Sequence, residues 1–139
     1  MPGTGRFLLD TNIVIAIFAN EASVLQRLGL AGEVFVASIV LGELYYGARK
    51  SGRSATNIQR VDTFAASNAV LACDIETAQQ YGLIKDALRA KGKPIPENDI
   101  WIAALALQYG LTLATRDATL ARLMNLPLKC GKVWFRAET

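Results

Sequence analysis

The sequence predicts an α/β fold, a sandwich of helices around a parallel sheet. Three observations predict it. Short strand-like apolar runs alternate with helical stretches along the chain, the connections between them are short, and 52% of the residues are hydrophobic against 19% charged. That balance fills a core; a disordered chain shows the reverse. At 139 residues, with no internal repeat, linker or low-complexity tract, one domain over residues 1–139 is expected.

The elements follow in order. Phe7-Leu8-Leu9 is a short strand that stops at Asp10-Thr11-Asn12. The next run, Ile13 to Phe18, is rich in β-branched residues, yet the three polar residues before it are all good N-capping types, so it reads as a buried helix. Glu21 to Leu30 is a second helix closed by Gly32, and Glu33 to Ala37 a second strand. Ser38 is expected to cap a helix from Ile39 to Lys50 that ends near Gly52. Ala55 to Ala66 is helical, Ala69 to Ala72 a short strand, and Asp74 caps a long helix through Ala90. On that helix Ala78, Tyr81, Ile84 and Leu88 fall at helical spacing and predict the buried stripe. Residues 91–96, Lys-Gly-Lys-Pro-Ile-Pro, form a loop, because two prolines and a glycine disfavour regular structure. Glu97-Asn98-Asp99 opens a helix to Tyr109, stopped by Gly110. Leu111 to Ala114 is a strand, Asp117 to Met124 a helix, and Lys132 to Phe135 a final strand.

Composition excludes several functions. The longest apolar runs, Ile13 to Ala19 and Ile100 to Leu107, fall short of the roughly 18 to 20 residues that span a bilayer. The N-terminus lacks the pattern of a signal peptide, so a cytoplasmic protein without membrane contact is expected. Cys73 and Cys130 carry no metal-ligand spacing and read as two buried thiols. There is no histidine, which removes Ser-His-Asp triads, Cys-His pairs and histidine zinc sites together. Catalysis here must run on carboxylates, hydroxyls, lysines or bound metal. The net charge of +3 is mild, but neutralising four of the acids would leave 15 basic groups against 8 acidic ones, a surface that attracts a polyanion.

Four acids sit where a parallel sheet collects ligand sites. Asp10 ends the first strand, and Asp117 follows the Leu111 to Ala114 strand by three residues. Glu43 lies in the second turn of the helix after the second strand, and Asp99 in the first turn of its helix. Strand C-termini and the N-termini of following helices share one edge of such a sheet. Each acid has a bland alternative: Asp10 as an N-cap, Asp99 as a complement to the helix dipole, Asp117 as a cap or an arginine partner. Glu43 has no capping role, and only exposure would excuse it. Apolar neighbours surround Asp10, Glu43 and Asp99, where ionised carboxylates are expensive unless compensated, and four together raise one another's pKa values. A hard cation resolves both problems, and Mg²⁺ or Mn²⁺ suits an all-oxygen set. Two such ions roughly 4 Å apart would activate a water and stabilise the leaving oxygen of a phosphodiester.

Four motifs carry a family resemblance: residues 8–12, Leu-Leu-Asp-Thr-Asn; residues 38–47, from Ser38 through Glu43 to Gly47; residues 95–104, around Asp99; and residues 113–117, Leu-Ala-Thr-Arg-Asp. In this order and spacing the chain resembles a PIN-domain ribonuclease of the VapC type, the toxin of a bacterial toxin–antitoxin pair. The resemblance covers residues 7 to about 126. It implies a PIN-like three-layer α/β/α sandwich with a central parallel sheet of about five strands, and Mg²⁺- or Mn²⁺-dependent endonuclease activity on RNA. Asp10, Glu43, Asp99 and Asp117 match the family's acidic positions, with Asp10 and Asp99 its firmest metal ligands. Asn12 and Thr115 match the small polar residues that orient the acids or a scissile phosphate. Arg116 would contact a phosphate or pair with Asp117. The implied partners are a homodimer mate and a cognate antitoxin, with DNA reached only through the antitoxin complex. Ala118 to Leu123 departs from the acid-Phe pair many relatives carry, which leaves Asp117 as the one candidate for the fourth acid.

Basic groups such as Arg49, Lys50, Arg53, Lys91 and Lys93 would steer RNA, or are ordinary solvated charges. Tyr45, Tyr46 and Trp101 fit a dimer surface or plain packing equally well. Two rivals remain. A catalytically silent PIN-fold module binding RNA or protein gains nothing from buried acids. A receiver-like phosphate acceptor wants adjacent acids after the first strand and a lysine after a late one, and the sequence has neither.

Overall fold

The computed structural model of the protein describes residues 5–92, 94–124 and 132–135. Five parallel strands form one sheet: β1 (Arg6–Leu9), β2 (Glu33–Ala37), β3 (Ala69–Leu71), β4 (Thr112–Thr115) and β5 (Lys132–Phe135), in the order β3-β2-β1-β4-β5. Connecting them are α1 (Thr11–Phe18), α2 (Ala22–Gly29), α3 (Ser38–Arg49), α4 (Ser54–Ser67), α5 (Ile75–Lys91), α6 (Glu97–Tyr109) and α7 (Ala118–Met124). Each expected strand and helix that falls within the described residues is present, with ends moved by a residue or two, as fraying termini allow.

Adjacent residues Leu8 and Leu9 of β1 and Leu113 and Ala114 of β4 are all fully buried. Side chains alternate faces along a strand, so both faces of the central sheet are covered by helices, as a parallel sheet requires. Helix α6 is deeply buried, with Ile100 and the unbroken run Ile102 to Ala106 all shielded from solvent. Three of those five are alanines, small enough to let the helix backbone approach its neighbours. Gly110 closes α6 in the left-handed conformation at φ +62, a state that a side chain would strain.

Chain order creates the site. From β1 the chain moves outward through β2 to β3, then returns across the sheet to β4 on the other side of β1. The C-terminal ends of β1 and β4 therefore flank the switch point, the crevice where open α/β sheets bind ligands. The Asp10 amide donates to the Ala114 carbonyl at 2.9 Å, which carries the β1–β4 ladder right up to the first acid.

Three expectations need correction. Ser38 is the first residue of α3 and the cap position is Ala37, which offers no side-chain hydrogen bond; the strand runs straight into the helix and leaves no residue to cap. Ala78 of α5 is exposed, and the buried positions are Thr77, Ile84 and Leu88, with Tyr81 half-buried. Thr77 replaces it because its hydroxyl completes a capping box with Asp74 and also meets Gln108 of α6. Cys73 is exposed, on the short turn between β3 and α5. Cys130 and Lys93 lie outside the described residues.

Candidate functional site

Asp10 is the most buried of the four acids, 5% exposed. It is also the best held. Its Oδ1 accepts the Thr11 amide at 2.8 Å, which makes it the N-cap of α1. Its Oδ2 accepts the Thr115 hydroxyl at 2.7 Å and the Asn12 amide nitrogen at 3.2 Å. Asn12 in turn accepts the Arg116 backbone amide at 3.0 Å, and the Thr115 hydroxyl accepts that of Asp117 at 3.0 Å. Residues from the ends of β1 and β4 thus lock into one network across the switch point. Burial pushes the Asp10 carboxyl above its ordinary range; hydrogen bonds from Thr115, Thr11 and Asn12 pull it down, and the charge of Asp117 pushes it up again.

Glu43 sits half-buried in α3. Burial raises its pKa first, and the Asp10 charge adds to that, while Thr11 and Asn98 hold it down. The buried Thr11 hydroxyl acts on the Glu43 carboxyl but reaches full hydrogen-bond geometry with no group among the described residues. Asp99, in the first turn of α6, is half-buried too. Its carboxyl is pushed up to about 6, by burial first and then by the charges of Asp10, Asp117 and Glu43. The fold therefore brings all four acids within reach of one another, although they are spread from residue 10 to residue 117. Asp117 fills two positions at once, accepting the amides of Thr119 at 2.8 Å and Leu120 at 3.4 Å at the start of α7 while its charge reaches Asp10 and Asp99.

Arg116 reaches a further partner. Its guanidinium forms a two-pronged pair with Glu21, the residue that opens α2, with Nη1 to Oε1 at 3.0 Å and a second contact from Nη2 to Oε2. The Arg116 side chain is only 11% exposed. A bidentate, largely buried arginine of this kind ties two elements together, a partner additional to the phosphate or Asp117 contact expected of it. Glu21 lies 95 residues away, beyond the reach of any local motif. Thr11 and Asn98, which bracket Glu43, were also missed as site residues; each directly adjoins an identified acid, and that adjacency was the available signal.

The set accommodates a divalent cation. Its donors are carboxylate oxygens and a hydroxyl, the ligands of a hard ion. No lysine or arginine is among the groups that set the ionisation of Asp10, Glu43 or Asp99, and the Thr11 hydroxyl lacks a partner. Among the described residues, no three of these side chains stand at ligand distance of one point. Carboxylates gathered this closely repel one another, and both Asp10 oxygens are engaged in hydrogen bonds.

The PIN domain family matches residues 7–125. A protein of Haemophilus influenzae named "Ribonuclease VapC2" is 40% identical over 114 residues, covering 81% of this chain and 86% of its own length. The "tRNA(fMet)-specific endonuclease VapC" of Shigella flexneri is 36% identical over the same shares. Among solved structures, DNA-bound VapBC from Salmonella typhimurium superposes with a TM-score of 0.83 at 29% identity, covering 95% of this chain and 98% of that one. VapBC2 of Rickettsia felis, bound to a DNA fragment from its promoter, gives 0.82 at 27% identity, covering 94% and 98%.

Proposed function

This chain belongs to the PIN-domain family, and from that premise we propose that it is a divalent-metal-dependent endoribonuclease, the growth-inhibiting toxin of a toxin–antitoxin pair. One observation supports the metal dependence above the others. Asp99 is a half-buried carboxyl pushed up to about 6, by burial first and then by the charges of three further carboxylates, with no basic group among the causes to offset them. A binding module gains nothing from such an arrangement, whereas a cation site requires it.

Asp10 and Asp99 would hold the ion, with Glu43 and Asp117 completing the set directly or through water. When bound, Mg²⁺ or Mn²⁺ supplies the positive charge that neutralises a phosphodiester and acidifies the attacking water. Thr115 and Asn12 fix the Asp10 carboxylate, so its oxygens need little reorganisation when the ion arrives. The Thr11 hydroxyl adds an uncommitted polar atom between Asp10 and Glu43. No side chain need act as a histidine-like base, because the chemistry is in-line hydrolysis by water.

The relatives named VapC are ribonucleases, and the Salmonella and Rickettsia structures are VapBC complexes on DNA. By likeness we assign this chain a cognate antitoxin, contact with DNA only through that complex, a homodimer mate and a cytoplasmic site of action. No described helix is long and apolar enough to cross a membrane. The test is Asp10→Ala beside Asp99→Ala, scored for growth arrest on induction and for RNA cleavage with Mg²⁺ or Mn²⁺. Both variants are expected to be inert, and EDTA to stop the parent protein. Cleavage that survives both substitutions, or ignores EDTA, sinks the proposal and leaves a silent binding module.

A further inference from the structure

Beside the acids a cleft of about 430 Å³ opens between α1, α3 and α4, within the size range of small-molecule sites. Thr11 and Glu43 are among its lining residues, so it adjoins the proposed metal site. Its interior is mostly apolar, yet Ile15 on its wall is 55% exposed. Phe18 lines it with the Arg60 guanidinium 5.6 Å above the ring centre. Asn57 also lines it; its amide nitrogen is tied to the Ser51 hydroxyl at 2.9 Å, and its carbonyl oxygen accepts no hydrogen bond among the described residues.

Gly47 is the telling residue. It lies within α3 on the cleft wall, where a glycine weakens a helix relative to alanine. A Cβ built there meets nothing within 4 Å. Packing inside the protein therefore does not demand the glycine, and a side chain added at this position would start on the cleft wall.

We propose that this cleft is a nucleobase subsite, holding the base of a nucleotide next to the scissile phosphate and setting the sequence preference of cleavage. The proposal rests on the endoribonuclease reading above. An aromatic ring with a guanidinium over it is the surface on which bases stack, and sequence-specific RNA recognition works on unstacked bases of this kind. The free Asn57 oxygen matches the exocyclic amino group of adenine, cytosine or guanine. Charge also runs the right way. Acids that need an ion adjoin the cleft, and Arg60, with Lys50 and Arg53 at the α3–α4 junction, supplies positive charge for the flanking phosphates.

The test fills the space. Gly47→Leu starts its side chain in open space on the cleft wall and is expected to melt no lower than the parent. Two readouts are needed: kcat/KM on single-stranded RNA randomised at the two nucleotides flanking the cut, and binding of fluorescein-labelled oligoribonucleotides in EDTA. The expected result is a loss of about tenfold in both, with the preference flattened at one flanking position. Phe18→Leu, which removes the π face, is expected to flatten the same position. Parent-like rate and preference in a stable Gly47→Leu protein would overturn the subsite, as would parent-like behaviour of Phe18→Leu should Gly47→Leu fail to fold. A Gly47→Leu protein that loses only antitoxin binding overturns it too, and assigns the cleft to a protein partner. If the parent cleaves no RNA while Gly47→Leu still weakens oligoribonucleotide binding, the subsite stands and the nuclease reading falls. If the parent neither cleaves nor binds RNA, both fall.

Discussion

Glu97 and Asp99 stand two residues apart in the first turn of α6, in the same helix-dipole field, and their carboxyls move in opposite directions. Glu97 is exposed; its oxygens meet the Lys85 ammonium at 2.5 Å and the Tyr81 hydroxyl, and its pKa falls. Asp99 turns toward Asp10, Glu43 and Asp117, meets no cation, and rises to about 6. The dipole at a helix N-terminus favours both anions alike, so it cannot explain the split. Neighbours and burial do. One acid in this turn is a surface ion pair, and the other is a half-buried carboxyl facing three more.

The largest effect should come from testing that difference directly. Asp99→Asn is expected to lower RNA cleavage by more than about a hundredfold, beyond the range seen for outer partners of a metal site, while Glu97→Gln leaves kcat/KM unchanged. Equal losses in a gel-based cleavage assay would break the comparison. The next effect probes how Asp10 is held. Thr115→Val removes the 2.7 Å hydrogen bond to Oδ2 and the acceptor for the Asp117 amide. Cleavage should fall by about tenfold to a hundredfold, with half-saturation moving to higher Mg²⁺. An unchanged metal titration would show that Asp10 does not depend on this hydrogen bond.

A smaller effect is thermodynamic. The Asp99 carboxyl is held at about 6 in the folded chain against an ordinary 3.8. Between those pH values the folded state carries the extra proton, so stability without metal falls as pH rises through the window and stays lower above it. Asp10 and Glu43 are raised as well and act in the same direction. Because Asp99 is half-exposed, its share should be about 1 kcal/mol after screening. Urea midpoints at pH 4 and pH 7 in EDTA measure the slope, which Asp99→Asn should make shallower. Added Mg²⁺ should recover stability at pH 7, since the ion binds only the folded chain.

Sequence reading reached the sheet and the edge on which four acids gather because both follow from local signals. Strand and helix alternate visibly, and Asp10, Asp99 and Asp117 fall at element boundaries that a parallel sheet gathers on one edge. What stayed hidden depends on distant pairs. For Arg116 the sequence offers a phosphate or its neighbour Asp117 as partner, whereas the structure adds Glu21, 95 residues away. Ala78 fitted the helical period on α5, but the capping box and Gln108 draw Thr77 inward in its place. The cleft was invisible for the same reason: it exists only where α1, α3 and α4 meet, and Gly47 reads as an ordinary small residue until an empty volume is found beside it.

The smallest effect sharpens the other half of the comparison. Lys85, Tyr81 and Glu97 join α5 to α6 on the surface, where Tyr81 also stacks on Trp101 with ring centres 4.1 Å apart. Glu97 is lowered by the Lys85 hydrogen bond first, so whatever it contributes is present above its unfolded pKa and is lost as pH falls through the folded one. An exposed pair is screened by water and salt, and holding two long side chains in one geometry offsets most of the attraction. Lys85→Met should therefore leave the melting temperature unchanged within error at pH 7 in 0.15 M salt, with cleavage equally unaffected. A clear loss of stability that vanishes in 1 M NaCl would show that the pair has more than a surface role. A loss of cleavage at unchanged stability would be more telling, because it would extend the RNA contact surface from the acid edge of the sheet onto the α5–α6 face.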